Sequence, residues 1–419
     1  IANDTVNAQL ANSTGTGFYG YSSYGVTYST SSASYGDTYG DDDIIGVQLN
    51  MDDGEIHFYK NNTIQNSGTA AFTGLTGVYY PMTAVYNLYH PVHRFAEDEW
   101  SYTAPTGYKA LTTTNIASAI TRTHSNLEEY FDSTLYEGNG TGQRVGKFLP
   151  FTNTFTVGKG ALFIGANSED LSRGSMSGTA TTFTVSMWVK RAEPAVGGTN
   201  ANFMFTTASD AGLAFGNNST ADVLAWYSGS YTATTRVFSD QSQWMNVVLK
   251  SSSGTGTAYV NGVEMLSSLT VNGADATMAI GSYNNSSNFF DGYMAEVVMI
   301  DGTALEPSSF GQVDTSTGRW IPKDVSGLTF GTNGFYLNFA NSSDVGNDVS
   351  GNNNDFTNNN TVVQVGDTPT VNFGTLNVSG GAATVTNGNR TNTGASGGYG
   401  NVRTSLTFGN EKIFAMLLI

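Results

Sequence analysis

Thr182-Phe-Thr-Val-Ser-Met-Trp-Val-Lys190 is the stretch that decides the fold. Phe183, Val185, Met187 and Val189 stand at alternate positions. That is the period of a β-strand, whose successive side chains point to opposite faces. Gln243-Trp-Met-Asn-Val-Val-Leu249 follows, and then Gly256-Thr-Ala-Tyr-Val-Asn-Gly-Val-Glu264. Within the latter, Asn261-Gly262 is the strongest short-range hairpin signal available, because both residues tolerate positive φ. Asp291-Gly-Tyr-Met-Ala-Glu-Val-Val-Met-Ile300 and Asp301-Gly-Thr-Ala-Leu305 close the series. These runs predict one antiparallel sandwich from Thr182 to Leu305, with Phe183, Val185, Val247, Val260 and Val297 inside.

Composition extends this reading to the whole chain. Gly is 50 of 419 residues, aromatics are 12% and charged residues 12%, a profile of many short strands joined by small-residue turns. The best helix candidate, residues 125–131, is barely two turns. The length predicts two to three domains at about 150 residues each. Net charge is −17, from 17 basic and 34 acidic residues. Without clustered Lys and Arg, nucleic acid is not an expected partner. There is no Cys, which excludes disulfides, zinc–thiolate sites and thiol catalysis. The longest apolar run, Ile413-Phe-Ala-Met-Leu-Leu-Ile419, has the length of one buried strand, so no membrane span is expected. No signal peptide is visible and the first residue is Ile1, which reads as a segment of something longer or a processed product.

Upstream, Asp43-Ile-Ile-Gly-Val-Gln-Leu49 puts Ile45, Val47 and Leu49 on one face, and Glu55-Ile-His-Phe-Tyr-Lys60 returns with Ile56 and Phe58 on one face. With Gly68-Thr-Ala-Ala-Phe72 and Tyr79-Tyr-Pro81, this order resembles the SPRY domain. Asn62 replaces the usual Gly, and Asn tolerates the positive φ of such a turn. The Thr182–Leu305 motifs resemble a laminin-G or concanavalin A-like jelly roll, which implies a two-sheet antiparallel sandwich over 161–345. The passage from Asp348 to Phe356, with Asp367-Thr-Pro-Thr370, resembles one that recurs in marine phage tail-fibre and virion proteins. It is an Asn/Gly/Asp run without a period, so 346–372 is expected as a connector. Leu111–Asn115 and Tyr130–Tyr136 resemble the linker after SPRY in such chains, which makes 109–160 a linker. Residues 373–419 resemble the first strands of a SPRY domain and 1–108 the remainder, so the chain is divided in circular fashion inside that domain.

Chemical sites are sparse. No Glu-x-Asp-x-Glu spacing of the laminarinase type occurs, though paired carboxylates could come from distant strands. His57, His90, His93 and His124 are scattered, and Pro91 prevents a helical pair from His90 and His93. Asp98, between Glu97 and Glu99, reads as a solvated loop. Asp41, Asp42 and Asp43 are candidate calcium ligands, or else an acidic turn before a strand. Asp291 and Asp301 are expected at hairpin ends, with no ligand set to complete. Trp188 and Trp244 read as packing. Trp226, Tyr227 and Tyr231 match no core motif and are candidates for sugar stacking, or else residues of a strand face. Phe18-Tyr-Gly-Tyr21, Tyr24, Tyr28, Tyr35 and Tyr39 are either a sticky loop surface or packing.

Ile413, Phe414, Met416 and Leu418 form a candidate assembly strand, because an apolar strand cannot stay in water with both edges unpaired. Its partner is expected to be a neighbouring subunit by strand donation, the same chain, or the next unit of a covalent array. Together these readings predict a non-enzymatic structural or adhesion protein on a virion surface or extracellular appendage, with homo-oligomer or filament neighbours. Its expected ligand is a cell-surface polysaccharide or a neighbouring subunit. A ligand-free filament or capsid-decoration subunit and a polysaccharide hydrolase are the alternatives.

Overall fold

The computed structural model describes residues 1, 14–86, 91–112, 155–174, 177, 180–192, 201–207, 211–217, 219–271, 278–314, 318–381, 384–393, 399–405 and 412–418. The protein is all-β. Among the described residues, helix is confined to three-residue 3-10 turns, and no helix is long and apolar enough to cross a membrane. Chain contacts divide these residues into two units, one from 1–112 with 373–418 and one from 155–372. The predicted helix at 125–131 and the linker sequence from 113 to 154 lie outside the described residues.

The second unit is a two-sheet sandwich. Its strands are β1 Gly160–Phe163, β2 Asp170–Arg173, β3 Phe183–Arg191, β4 Asn202–Thr207, β5 Ala211–Phe215, β6 Val223–Ser228, β7 Tyr231–Val237 and β8 Met245–Ser252. They continue with β9 Thr255–Val260, β10 Val263–Thr270, β11 Met278–Ile280, β12 Gly292–Asp301, β13 Phe335–Leu337, β14 Thr357–Asn359 and β15 Val363–Val365. One sheet runs β10-β9-β8-β3-β12-β1-β15, with β13 also on β12; the other runs β7-β6-β5-β4-β11-β2-β14. Phe183, Val185, Val247, Val260 and Val297 all lie in the core between them. The β9–β10 hairpin turns at Asn261 (φ 49°) and Gly262 (φ 76°), both in the left-handed region that a two-residue hairpin requires.

The two outer faces differ, and that difference places the site. On the eight-stranded sheet, Val248, Tyr259, Val298, Ile300 and Tyr336 are covered by Phe310, Val325 and Phe330 from the loops after β12. Trp188, Tyr293 and Trp244 are covered on the same side together with Val157 and Val365. This is why β3 is buried at every position. Its outward polar residues are satisfied: Thr184 Oγ1 donates to the Thr303 carbonyl at 3.0 Å, and the Asn246 amide donates to Ser186 Oγ at 3.0 Å.

Residues 346–372, expected as a connector, instead supply an edge strand to each sheet: β14 pairs with β2 and β15 with β1. Side-chain bonds order the run before them. Asp348 Oδ1 accepts the Tyr336 and Ser350 amides at 2.8 and 2.9 Å, and Oδ2 accepts the Asn354 amide at 2.8 Å. Such local bonds build a turn with no hydrophobic period to read.

Glu296 on β12 adopts φ 49° where the β3–β12 register shifts. Tyr336 Oη donates to its Oε2 at 2.6 Å. Burial, with a further push from Asp324, raises the Glu296 carboxyl to about 7. The folded state therefore holds a proton that the unfolded chain, at about 4.5, has released. This contribution is fully present below the unfolded value and is lost as pH rises through the folded one. Glu296→Gln keeps the acceptor for Tyr336 and removes the titration. It should raise stability by about 3 kcal/mol at pH 8 relative to pH 4. Urea denaturation of both proteins across that range checks this, and a difference that does not vary with pH would sink it.

In the first unit Ile44–Asn50 pairs with Glu55–Lys60, and Leu49, Ile56 and Phe58 enter the core with Tyr35, Tyr79 and Phe95. The next turn uses Asn61 (φ 48°) and Asn62 (φ 68°), so Asn supplies the expected left-handed conformation. Lys412–Leu418 lies along the whole of Ile44–Asn50. Its other edge pairs with Val92–Arg94 and, in parallel, with Lys109–Ala110. Of the three partners expected for the strand of Ile413, Phe414, Met416 and Leu418, the structure shows the same chain: both of its edges are paired within it.

Candidate functional site

The outer face of the seven-stranded sheet carries a small aromatic cluster. Phe203, Ala201 and Ala214 are buried there, and Tyr227, Tyr231 and Tyr283 pack half-buried against them. Sheet register brings them together, because Phe203 pairs with Ala214, Ala214 with Ala225, Gly212 with Tyr227, and Tyr227 with Tyr231. Small side chains on β5 leave room for the rings. A Cβ on Gly212 would lie 2.6 Å from the Phe205 carbonyl oxygen and 2.8 Å from Phe203 Cδ1. Ring centroids are 4.9 Å apart for Phe203–Tyr283, 4.8 Å for Tyr227–Tyr231 and 5.7 Å for Tyr227–Tyr283. In these tilted and edge-on arrangements Tyr227, Tyr231 and Tyr283 stay partly exposed. Burial, then the neighbouring Tyr227, pushes the Tyr231 phenol above its ordinary range, so it stays a neutral donor.

A polar margin adjoins Tyr283. Asp170, fully buried at the start of β2, accepts from Ser282 Oγ and, at 2.7 Å, from the Asn359 amide. The Asn285 side chain, with its amide nitrogen facing the carboxylate, adds two contacts of 3.0 Å. Burial raises the Asp170 carboxyl above its usual range, while the Ser282 and Asn359 bonds act in the opposite direction. Asn284 and Asn285 have φ of 49° and 56°, a left-handed conformation that Asn tolerates. Asp170 therefore holds the 282–285 turn, and Tyr283 with it, against the sheet. It is the one acidic side chain among the described strand residues of this sheet.

Of the three aromatics singled out in the sequence, Tyr227 and Tyr231 lie on this face. Trp226 does not: it is 2% exposed, packed between the sheets, and its Nε1 donates to the Thr270 carbonyl at 3.0 Å. Neighbours along a strand point to opposite faces, so Trp226 and Tyr227 could not share one. Phe203 and Tyr283 carry no local sequence signal, since only the strand order β6-β5-β4-β11 places them here.

The remaining candidates have structural roles. Asp43 accepts from the Gly40 amide at 2.9 Å and the Asn61 side chain at 2.7 Å, and pairs with Lys60 at 3.2 Å. These contacts, the Gly40 amide foremost, hold its carboxyl below the usual range. Asp42 occupies a turn position at φ 66°. Of the two readings of Asp41, Asp42 and Asp43, these contacts describe the acidic turn before a strand, with Asp43 engaged by its own hairpin. Among the described residues no group of three His or acidic side chains could hold a metal.

His93 is buried between Thr83 and the Arg390 carbonyl, and burial lowers it to about 4. His90 and His124 lie outside the described residues. Glu99 pairs with Arg390. Asp291 accepts the Gly165 amide at 3.0 Å, and Asp301 accepts both Asn333 nitrogens. Tyr21, Tyr35 and Tyr39 pack together, the first two against Phe58, whereas Tyr24 is exposed.

Comparison with known proteins agrees with this division. The family described as the concanavalin A-like lectin/glucanases superfamily matches residues 163–309, and the SPRY domain matches residues 2–90. A Bacteroides ovatus protein assigned to carbohydrate binding is 17% identical, covering 51% of this chain and 60% of its own, with a TM-score of 0.40. Domain 4 of the extracellular arabinanase AbnA from Geobacillus stearothermophilus, solved with arabinotriose, is 21% identical over 32% of this chain and 67% of its own, with a TM-score of 0.26. Trypanosoma rangeli sialidase is 16% identical over 30% of this chain and 21% of its own, with a TM-score of 0.25. No curated protein matches.

Proposed function

We propose that this chain is a binding protein without turnover, and that its sandwich takes a glycan on the outer face of the seven-stranded sheet. The observation that carries the reading is the cluster of half-buried Tyr227, Tyr231 and Tyr283, packed on buried Phe203, beside the Asp170–Ser282–Asn285–Asn359 margin. Rings offer the C–H face of a pyranose a flat apolar surface, and amides and hydroxyls offer hydrogen bonds at its edge. Binding is favoured over hydrolysis because glycoside cleavage uses two carboxylates, and Asp170 is engaged by Ser282 and Asn359. A site on a virion or extracellular appendage rests on the resemblance of the Asp348–Phe356 and Asp367–Thr370 passages to phage tail-fibre chains.

The test is a glycan array with the intact chain, followed by calorimetry on the best ligand. Tyr227→Ala and Tyr231→Ala should each weaken binding about tenfold, at about 1–1.5 kcal/mol per ring. Their denaturation midpoints should stay near wild type. Failure of every neutral and acidic glycan to bind would favour the purely structural subunit, and released reducing ends would favour the hydrolase.

A further inference from the structure

One cluster plays no part in that site. Lys190, on the outward side of β3, has a side chain with no exposed surface, in a protein without Cys. Its Nζ lies 2.8 Å from Asp367 Oδ2 and 2.6 Å from Asn372 Oδ1, and 5.4 Å from the centre of the Tyr293 ring. Trp244 Nε1 donates to Asp367 Oδ1 at 2.9 Å and so turns Oδ2 toward the lysine. The Asn372 side-chain nitrogen donates to the Ser242 carbonyl at 2.8 Å, so its carbonyl, not its nitrogen, faces Nζ. An ion pair requires only Asp367. The cluster adds a carboxamide whose carbon lies one C=O bond, about 1.2 Å, beyond the oxygen that Nζ already touches.

We propose that Lys190 and Asn372 become joined by an intramolecular isopeptide bond, with Asp367 as the proton carrier. The Lys190 ammonium gives a proton to Asp367 Oδ2. The free amine attacks Asn372 Cγ, forming the Nζ–Cγ bond and placing the carbonyl electron pair on Oδ1. The carbonyl then re-forms and the Cγ–Nδ2 bond breaks. The protonated Asp367 supplies the leaving nitrogen, and the proton lost by Nζ completes the ammonium ion. One ammonium and one primary amide become one secondary amide and one ammonium ion, with no oxidant, metal or co-reactant.

Three features favour the step. The reacting groups are already in contact, which replaces a bimolecular encounter with a unimolecular one. The acid–base group touches the nucleophile. Water is excluded, since the Asp367 side chain is only 2% exposed, so that hydrolysis does not compete with the amine. The bond would tie β3 to the segment after β15 and restrict the unfolded chain as a disulfide does.

The test is the intact mass of the purified full chain after prolonged incubation, followed by proteolysis. The expected result is a mass lighter than the sequence mass by one ammonia, and a branched peptide containing both Lys190 and Asn372. A succinimide at Asn372 also loses ammonia but yields no branched peptide, and would overturn the proposal. So would the full sequence mass with Lys190 and Asn372 recovered on separate peptides. Asn372→Ala retains the Lys190–Asp367 pair and should keep its full mass. Asp367→Asn should remain unlinked over the time in which the wild type is completely linked; linkage at the wild-type rate would overturn the role given to Asp367.

Discussion

Deletion of Lys412–Leu418 is expected to unfold the first unit while leaving the sandwich of the second intact. This strand is interior to its sheet, between Val92–Arg94 and Ile44–Asn50, and Met416 is 2% exposed. Its removal strips a full antiparallel ladder from Ile44–Asn50 and a shorter one from Val92–Arg94. At about 1 kcal/mol per ladder bond, plus the apolar surface uncovered, the loss matches the roughly 5–15 kcal/mol that holds a domain folded. Hydrogen exchange read by peptide separates the units. Protection should vanish over residues 44–60 and persist over 183–191. Undiminished protection at 44–60 would show that the strand completes nothing.

Asp222→Asn is expected to destabilise the second unit by about 3–5 kcal/mol, because it leaves a buried guanidinium without its counter-charge. Arg191, at the end of β3, is 1% exposed, and its Nη2 donates to Asp222 Oδ1 at 2.6 Å. Nη1 donates to the Phe238 carbonyl, and the group lies 4.7 Å from the centre of the Phe215 ring. Asp222 precedes β6, so the pair ties one sheet to the other near the strand that carries Tyr227. Burial lowers the Arg191 pKa, with Asp222 acting against it. Asn suits the φ of 62° at position 222, so the loss reports charge rather than backbone strain. Arg191→Met in the Asp222→Asn background should recover most of the loss in urea denaturation. Two additive losses would mean that the groups do not interact.

The sandwich core was legible at Phe183, Val185, Val247, Val260 and Val297 because alternation and hairpin signals agreed along the same runs. Asn62 was legible as a turn because positive φ is a property of the residue itself. The 346–372 segment was not, since β14 and β15 are three residues each and the run before them is shaped by Asp and Asn side chains rather than by burial. Asp43 carries the charge of a calcium ligand, and only its contacts show that Asn61, Lys60 and Gly40 engage its oxygens. The site was half visible. Tyr227 and Tyr231 flank a turn and can be seen as a pair, but Phe203 and Tyr283 reach them from strands and turns distant in sequence.

By itself the sequence determined an all-β chain with two kinds of sandwich motif and no thiol chemistry. Those properties follow from residue type and from periods of two, which are local. Only the tertiary structure decided that Trp226 faces inward while Tyr227 faces out, that one outer sheet face is covered and the other bears the aromatic cluster, and that the C-terminal strand finds both partners in its own chain. It also decided that Lys190, Asp367 and Asn372 meet. Which face is inside, which edge is filled and which distant groups touch are set by strand order and register, and alternation along one strand is the same for either choice.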